Sequence, residues 1–437
     1  MMHLIGYLIA GPTWHNNGGW RHPESDADMA LDPARYERIA RILEEGCFDG
    51  LFFVDVLTLY DTYQGSFAGQ VAGPGQMWYL DPMLLLAAMA RVTSHLGLAG
   101  TMSTAFYHPF HIARAFATLD HMSNGRAAWN VVTSASRREA QNFGMDALMD
   151  RTLRYDHADE VLEACDRLWN SWDADAIVYD RKAGRYADPS KVHYADYEGK
   201  YVRTRGPLPT PRSPQGRPVI MQAGSSERGR AFAARWAEVI FTLQHAKPDM
   251  QAFYADIKGR MDRLGRRPEE CAITPAIDVV IGETDSIARE RAAYLESLVS
   301  AEVGVCDISN GIGVDLAGFP LDQPIQDMDI TDGARGVLDV ILQGSRSAGL
   351  TLRQAGLRYG VSQHTPALVG TAETIADRMQ ELFEAECCDG FVVCPSVTPG
   401  SYMQFVRAVV PELQRRGLFR RAYAGRTLRE NLRGPAG

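Results

Sequence analysis

The sequence predicts an α/β protein, a (β/α)8 TIM barrel with long insertions at its C-terminal face. Three observations carry that prediction. Short apolar runs alternate with helical patterns from one end of the chain to the other, as in a parallel sheet covered by helices. Eight such runs can be counted. Several are apolar throughout instead of alternating, as strands buried on both faces must be. A doubly wound sheet is the rival architecture, but eight successive strand–helix units suit a closed barrel better.

The eight expected strands are His3–Ile9, Gly50–Val54, Leu96–Thr101, Ala127–Val132, Pro218–Gln222, Glu238–Phe241, Ile273–Ile281 and Gly390–Cys394. Helices fall between them. Asp32-Pro33 reads as an N-cap followed by proline at the first helical position. Tyr36, Ile39, Ala40 and Leu43 then form an apolar stripe, which Gly46 closes. Asp81-Pro82 repeats the start signal before Met83–Arg91. Further helical patterns cover Pro109–Met122, Arg154–Trp172, Arg228–Trp236, Asp249–Leu264, Asp285–Val299, Glu373–Ala385 and Tyr402–Arg416.

A barrel needs about 250 residues, and this chain has 437. The surplus is expected in insertions at about 56–80, 173–216 and 301–365, on one domain spanning 1–437. The polar tail 420–437 is expected to wrap the surface or fray. The composition is that of a soluble globular enzyme, 46% hydrophobic and 23% charged. A net charge of −9 makes nucleic acid and anionic membranes poor partners. Seven scattered cysteines argue against a disulfide framework and for a cytoplasmic location. The first residues lack the basic start of a signal peptide, and no run is long enough to span a membrane.

In such a barrel, function collects where strands end. The loop Gly11–Pro23 follows the first strand and crowds Trp14, His15, Asn16, Asn17 and Trp20 together. It is either one wall of a pocket for a planar ligand or a hydrogen-bonded surface loop. Asp55 ends the second strand, where a carboxylate does nothing for packing. Thr101 ends the third. His108 and His111 have the spacing of a metal pair, but nothing completes the set, so no metal is expected. Asn130 interrupts an apolar strand and needs a polar partner there. Ser134 follows it, then Arg137-Arg138, a solvated helix start or a grip on an anionic substrate group. After the fifth strand, Gly224-Ser225-Ser226 opens a helix, an arrangement suited to a phosphate.

Together these segments resemble the bacterial luciferase-like flavin-dependent monooxygenases, in the branch of nitrilotriacetate, dibenzothiophene-sulfone and dimethyl-sulfide monooxygenases. The matching stretches include Trp20-Arg21-His22-Pro23, Tyr107-His108-Pro109-Phe110-His111, Trp129-Asn130-Val131-Val132-Thr133-Ser134, Gln222-Ala223-Gly224-Ser225-Ser226, Leu368-Val369-Gly370-Thr371 and Val410-Pro411-Glu412-Leu413-Gln414. They run nearly the whole length of the chain.

The resemblance implies reduced FMN (FMNH2) at the C-terminal mouth, supplied by a separate NAD(P)H-dependent flavin reductase. O2 is the co-substrate, activated as a flavin peroxide, and a small organic molecule is oxygenated, a chemistry of xenobiotic degradation. Flavin contacts carry over to Asp55, Thr101, Tyr155, Ser225 and Ser226, with Asn130 and Ser134 beside them. Arg151 stands four residues before Tyr155, where the family usually has histidine; an arginine there either grips phosphate or a flavin carbonyl or points away from the flavin. The catalytic candidates are His15, Asn130 and Arg151. A homodimer or homotetramer is implied. The alternatives are a deazaflavin-dependent or other flavin-barrel oxidoreductase that dehalogenates or cleaves C–N or C–S bonds, and a non-catalytic flavin-binding protein.

Overall fold

The chain runs through β1 (His3–Ile9), β2 (Gly50–Val54), β3 (Gly97–Ser103) and β4 (Ala127–Val132) before a long excursion. The excursion holds two small hairpins, β5 (Ile177–Asp180) with β6 (Arg185–Ala187) and β7 (Tyr197–Glu198) with β8 (Arg203–Thr204). It then resumes with β9 (Val219–Gln222), β10 (Val239–Thr242), β11 (Ala272–Ile281), β12 (Ala367–Gly370) and β13 (Gly390–Cys394). This computed structural model describes residues 1–12, 15–75, 77–325, 349–363 and 365–434, without the side chains of Arg151 and Thr152.

Eight strands close a parallel barrel in the order β1–β2–β3–β4–β9–β10–β11–β13 and back to β1. Four of the eight have the ends expected from the sequence, and the others shift by one or two residues. β12 was not expected. It exists because β11 is ten residues long and overshoots the barrel, leaving Asp278–Ile281 to pair with Ala367–Gly370.

The Asp-Pro signals act as expected. Asp32 accepts from the Ala34 N–H and Asp81 from the Met83 N–H, each with proline next in line. The helix expected from Arg154 instead starts at Arg151 and ends at Trp169. The one expected over Tyr402–Arg416 is broken into Gly400–Gln404, a wide π turn at Phe405–Val409 and Val410–Arg415. Pro411 has no N–H to give the preceding turn, and the ladder widens there.

Side-chain direction follows from register. Tyr7, Phe52 and Phe241 touch one another within 6.4 Å, so they face the lumen. Phe53 meets Tyr36 and Trp129 meets Phe116 and Trp169, so those point outward to the helices. Residues in parallel register share a face. Asn130 is paired with Thr101 and alternates with Trp129, so both Asn130 and Thr101 face the lumen.

The tail corrects an expectation. It neither wraps the surface nor frays over its described length. The helix Leu428–Arg433 plugs the N-terminal end of the barrel, with Leu428 and Leu432 packed among lumen residues such as Ile5, Gly97 and Val239. Arg420 pairs with the fully buried Asp49, and Arg429 and Arg433 pair with Glu238. A polar sequence conceals this role because its arginines satisfy carboxylates at the ends of other elements. Residues 435–437 lie outside the described set.

The third insertion, over its described residues, also has more order than its mixed composition suggests. The helices Ala301–Ile312 and Leu352–Ser362 cross at Gly304 and Gly356, where a Cβ on Gly304 would sit 1.9 Å from the Gly356 carbonyl oxygen. Only glycine permits that approach. Among the described residues, no helix is long and apolar enough to cross a membrane.

Candidate active site

The loop after β1 is buried over residues 15–19 and exposed at Trp20 and Arg21. His15, Asn16 and Asn17 are each almost fully buried. Asn17 receives the Gly360 carbonyl on its N–H at 2.7 Å and donates its side chain to Asp307 at 2.6 Å. His15 Nδ1 lies 3.2 Å from the Ser362 carbonyl and 3.0 Å from Thr365 Oγ. A carbonyl only accepts, so this bond puts the proton on Nδ1 and leaves Nε2 bare. Burial pushes the imidazole down to about 4, so His15 is neutral at pH 7. Its ring meets the Tyr7 ring edge-on at 4.3 Å. Thr13 and Trp14 lie outside the described residues.

Asp55 follows β2. Burial pushes its carboxyl up to about 7, and Asp81 and Glu139 add to the push. Thr101 Oγ donates to the Phe53 carbonyl at 2.5 Å and accepts from Asn130 Nδ2 at 2.7 Å. Those two bonds settle how the Asn130 amide is turned. The single Thr101 proton is already given to Phe53, so Asn130 must present its N–H there. Its Oδ1 is left without a partner among the described residues, in a residue only 4% exposed. Ser134 holds a left-handed backbone (φ 54°), bonds Ser103 Oγ at 2.9 Å, and takes Arg154 on its carbonyl.

The fifth barrel strand ends in a tight cradle. A Cβ on Gly224 would lie 2.2 Å from Gln222 Nε2 and 2.5 Å from the Tyr155 hydroxyl, and Tyr155 also closes on Gly229. Glycine thus lets the chain pass beside Tyr155. Ser226 caps the helix Glu227–Trp236 by accepting from the Gly229 N–H, while Ser225 stays exposed. Tyr155, Ser225 and Ser226 therefore lie close to one helix start. The side chain of Arg151 lies outside the described residues, and its backbone opens the helix that carries Tyr155.

Arg137 and Arg138 are exposed. Arg137 donates to the Asp146 carbonyl, and Arg138 is paired with Asp61 at 2.6 Å. His108 caps its helix by accepting from Phe110. No cluster able to hold a metal occurs among the described residues.

Sequence reasoning passed over Gln222, whose Oε1 has no partner among the described residues, and Glu139, which accepts from the Leu57 N–H. A polar residue closing an apolar strand was a usable signal for Gln222. Glu139 carried none, because its partner lies in an insertion.

These residues fit the flavin that the resemblance implies. An unpaired acceptor in the lumen suits the N–H edge of an isoalloxazine. An exposed serine and free N–H groups at a helix start suit a phosphate.

The family described as luciferase-like monooxygenase matches residues 13–387. A dibenzothiophene-sulfone monooxygenase of Rhodococcus erythropolis (strain XP) is 48% identical over 438 residues, 99% of this chain and 96% of its own length. Nitrilotriacetate monooxygenase component A of Aminobacter aminovorans is 40% identical, covering 98% of this chain and 95% of its own. The crystal structure of a riboflavin lyase with modified FMN and riboflavin has a TM-score of 0.89 at 32% identity, covering 99% and 96%.

Proposed function

Because the chain belongs to the luciferase-like monooxygenase family and is a monooxygenase, we propose that it is the oxygenase of a two-component system. A separate NAD(P)H-dependent flavin reductase hands it reduced FMN, and a small organic substrate takes one atom of O2 while the other leaves as water. The relative named as a component A supports the division of labour, and the relative solved with a modified FMN supports the cofactor.

Reduced FMN supplies the electrons and the reaction with O2. The chain's residues bind, orient and exclude water. Ser225, Ser226, Tyr155 and the first N–H groups of Glu227–Trp236 hold the phosphate, with Arg151 beside them. Thr101 and Asn130 hold the ring edge, with Ser134 next to it. Asp55, kept neutral up to about pH 7, donates a hydrogen bond where an ionised carboxylate would only accept. His15 is a positioning residue. Its neutral ring ties the β1 loop to Ser362 and Thr365, and so sets Tyr7 against the third insertion. The described residues of the insertions 56–80 and 301–365 keep bulk water from the mouth.

The observation that carries this reading is the buried Asn130 Oδ1 with no donor. An orphaned acceptor costs about 1–3 kcal/mol unless a ligand fills it. The seven free cysteines suit a cytoplasmic setting, and a homodimer or homotetramer is the expected assembly.

The test separates the two components. Purified chain with FMN should leave NADH and NADPH unconsumed until a flavin reductase is added. It should also delay the recovery of 450 nm absorbance when reduced FMN meets air. Direct consumption of NAD(P)H, or reoxidation as fast as for free FMN, would contradict the proposal. Tight FMN binding without oxygenation of any substrate would favour a non-catalytic flavin carrier.

A further inference from the structure

A cavity of about 690 Å³ lies outside the barrel lumen, where β11 overshoots the barrel to pair with β12. Ile281, Ala372, Pro399 and Met403 give it apolar walls, and Glu24 and Arg407 line it from the loop after β1 and from the π turn. The described residues assigned above to the flavin do not line it. Arg291 also lines it, from the helix Asp285–Ser297, but is engaged by the Ile281 carbonyl and by Glu283. Tyr294 stands one helical turn beyond Arg291 on the same side of that helix, and its ring meets His22 edge-on at 5.6 Å. The phenol ring is therefore a knob at the edge of the cavity, in a residue 45% exposed.

This face is incompletely covered. The helix Asp285–Ser297 buries only Ala288 among its 13 residues, whereas Ala372–Glu384, of the same length, buries Ile375, Ala376, Met379 and Leu382. A helix is held in a protein mainly by packing an apolar face. Here Ile287, Ala292 and Leu295 are half-buried, while Ala293 and Tyr294 are exposed. Its charges are unmatched as well. Glu24 and Arg407, both exposed, form no ion pair among the described residues.

Resting on the expectation above that the chain assembles with copies of itself, and not on its flavin chemistry, we propose that this face is a two-fold interface with a second copy. Tyr294 of each copy enters the cavity of the other, and Arg407 of each meets Glu24 of the partner subunit. Knob, hole and charges of both signs sit on one face, as a self-complementary contact requires: what one residue gives to another across the axis, it receives back in kind. An unlike partner would call for a knob or a hole and for one sign of charge, not for both. An aromatic ring filling a desolvated pocket anchors such a contact, and the charge pair at its rim sets the register.

Sedimentation of the full chain over a dilution series tests this, since it gives both the mass and the dissociation constant of the assembly. The wild type should be at least a dimer. Tyr294→Ala removes the knob, and Gln404→Trp fills the hole from an exposed position on its wall. Each change occurs twice in a two-fold contact, so each should weaken the assembly roughly hundredfold and halve its mass. Arg407→Glu and Glu24→Arg should each weaken it roughly tenfold by setting like charges together, and the double variant should return to within roughly threefold of the wild type. Leu84→Asp probes a rival surface, the helix Pro82–Val92, where Leu84 is 74% exposed, and should leave the mass unchanged. Circular dichroism checks that each variant is folded. A monomeric wild type, or one that associates only with an added flavin reductase, would overturn both the expected assembly and this interface. A multimer that survives Tyr294→Ala and Gln404→Trp, a double charge variant no tighter than the single ones, or a mass halved by Leu84→Asp would overturn this interface alone. FMN titrations on the same samples report separately on the flavin reading.

Discussion

Both ends of the barrel hold carboxylates away from water, Asp49, Glu238 and Asp278 fully and Asp55 in part, and do opposite things with them. At the N-terminal end, Asp49 meets His3, Arg420 and the Leu4 N–H, and Glu238 meets Arg429, Arg433 and Arg217. Burial alone would raise both groups, but their cationic partners win and hold them below the ordinary range. At the C-terminal end, Asp55 and Asp278 have no such partners among the described residues. Burial pushes each up to about 7, and Ser396 is the one side chain that bonds Asp278 among the described residues. The difference is the presence of guanidinium. One end spends its charges on stability. The other stays neutral, with polar atoms unfilled, as a binding mouth must.

The largest expected effect breaks the bottom. Arg429→Met strips the main partner from Glu238 and should cost about 3–5 kcal/mol of unfolding free energy, as loss of one member of a buried pair does. Urea unfolding would show it. Asn130→Leu, at the mouth, should change stability by less than about 1 kcal/mol, since it removes an orphaned acceptor along with one hydrogen bond. If the two variants are equally destabilised, the contrast between the ends fails.

A second expectation concerns pH. Asp278 is protonated in the fold up to about pH 7, while in the unfolded chain it ionises near its ordinary value of 3.8. Between those pH values the native state binds more protons, so stability falls as pH rises. Asp49 and Glu238 act with the opposite sign: their contribution is present above the ordinary carboxylate range and is lost as pH falls through the lowered native values. Asp278→Asn should flatten the decline between about pH 4 and 7 and leave the acid limb alone. An unchanged slope on that stretch would show that Asp278 is not held neutral.

The smallest effect sharpens the mouth itself. Ser225→Ala should weaken FMN roughly threefold to tenfold, by one hydrogen bond to a charged group, and leave riboflavin affinity unchanged. Equal losses for both ligands would place the phosphate elsewhere.

Much of this was legible in the sequence where a residue broke its local pattern. Asn130 in an apolar strand, Asp55 closing one, and the Gly-Ser-Ser start of a helix each violate what packing alone would choose, and each sits at the mouth. The strands themselves were legible because burial on both faces demands unbroken apolar runs. What could not be read depends on partners distant in sequence. Arg420, Arg429 and Arg433 look like a solvated tail until Asp49 and Glu238 are brought to them. Glu24, Tyr294 and Arg407 share one face but belong to segments far apart in the sequence. Arg138 looked free to take an anion until Asp61 appeared beside it.

The most direct measurement is an anaerobic titration of the chain and of Asn130→Leu with oxidised and then reduced FMN. The account predicts that the wild type binds the reduced form more tightly, and that the variant loses roughly tenfold in that affinity while its thermal midpoint stays put. Equal affinity for both redox forms, or a variant that binds reduced FMN as the wild type does, would contradict it.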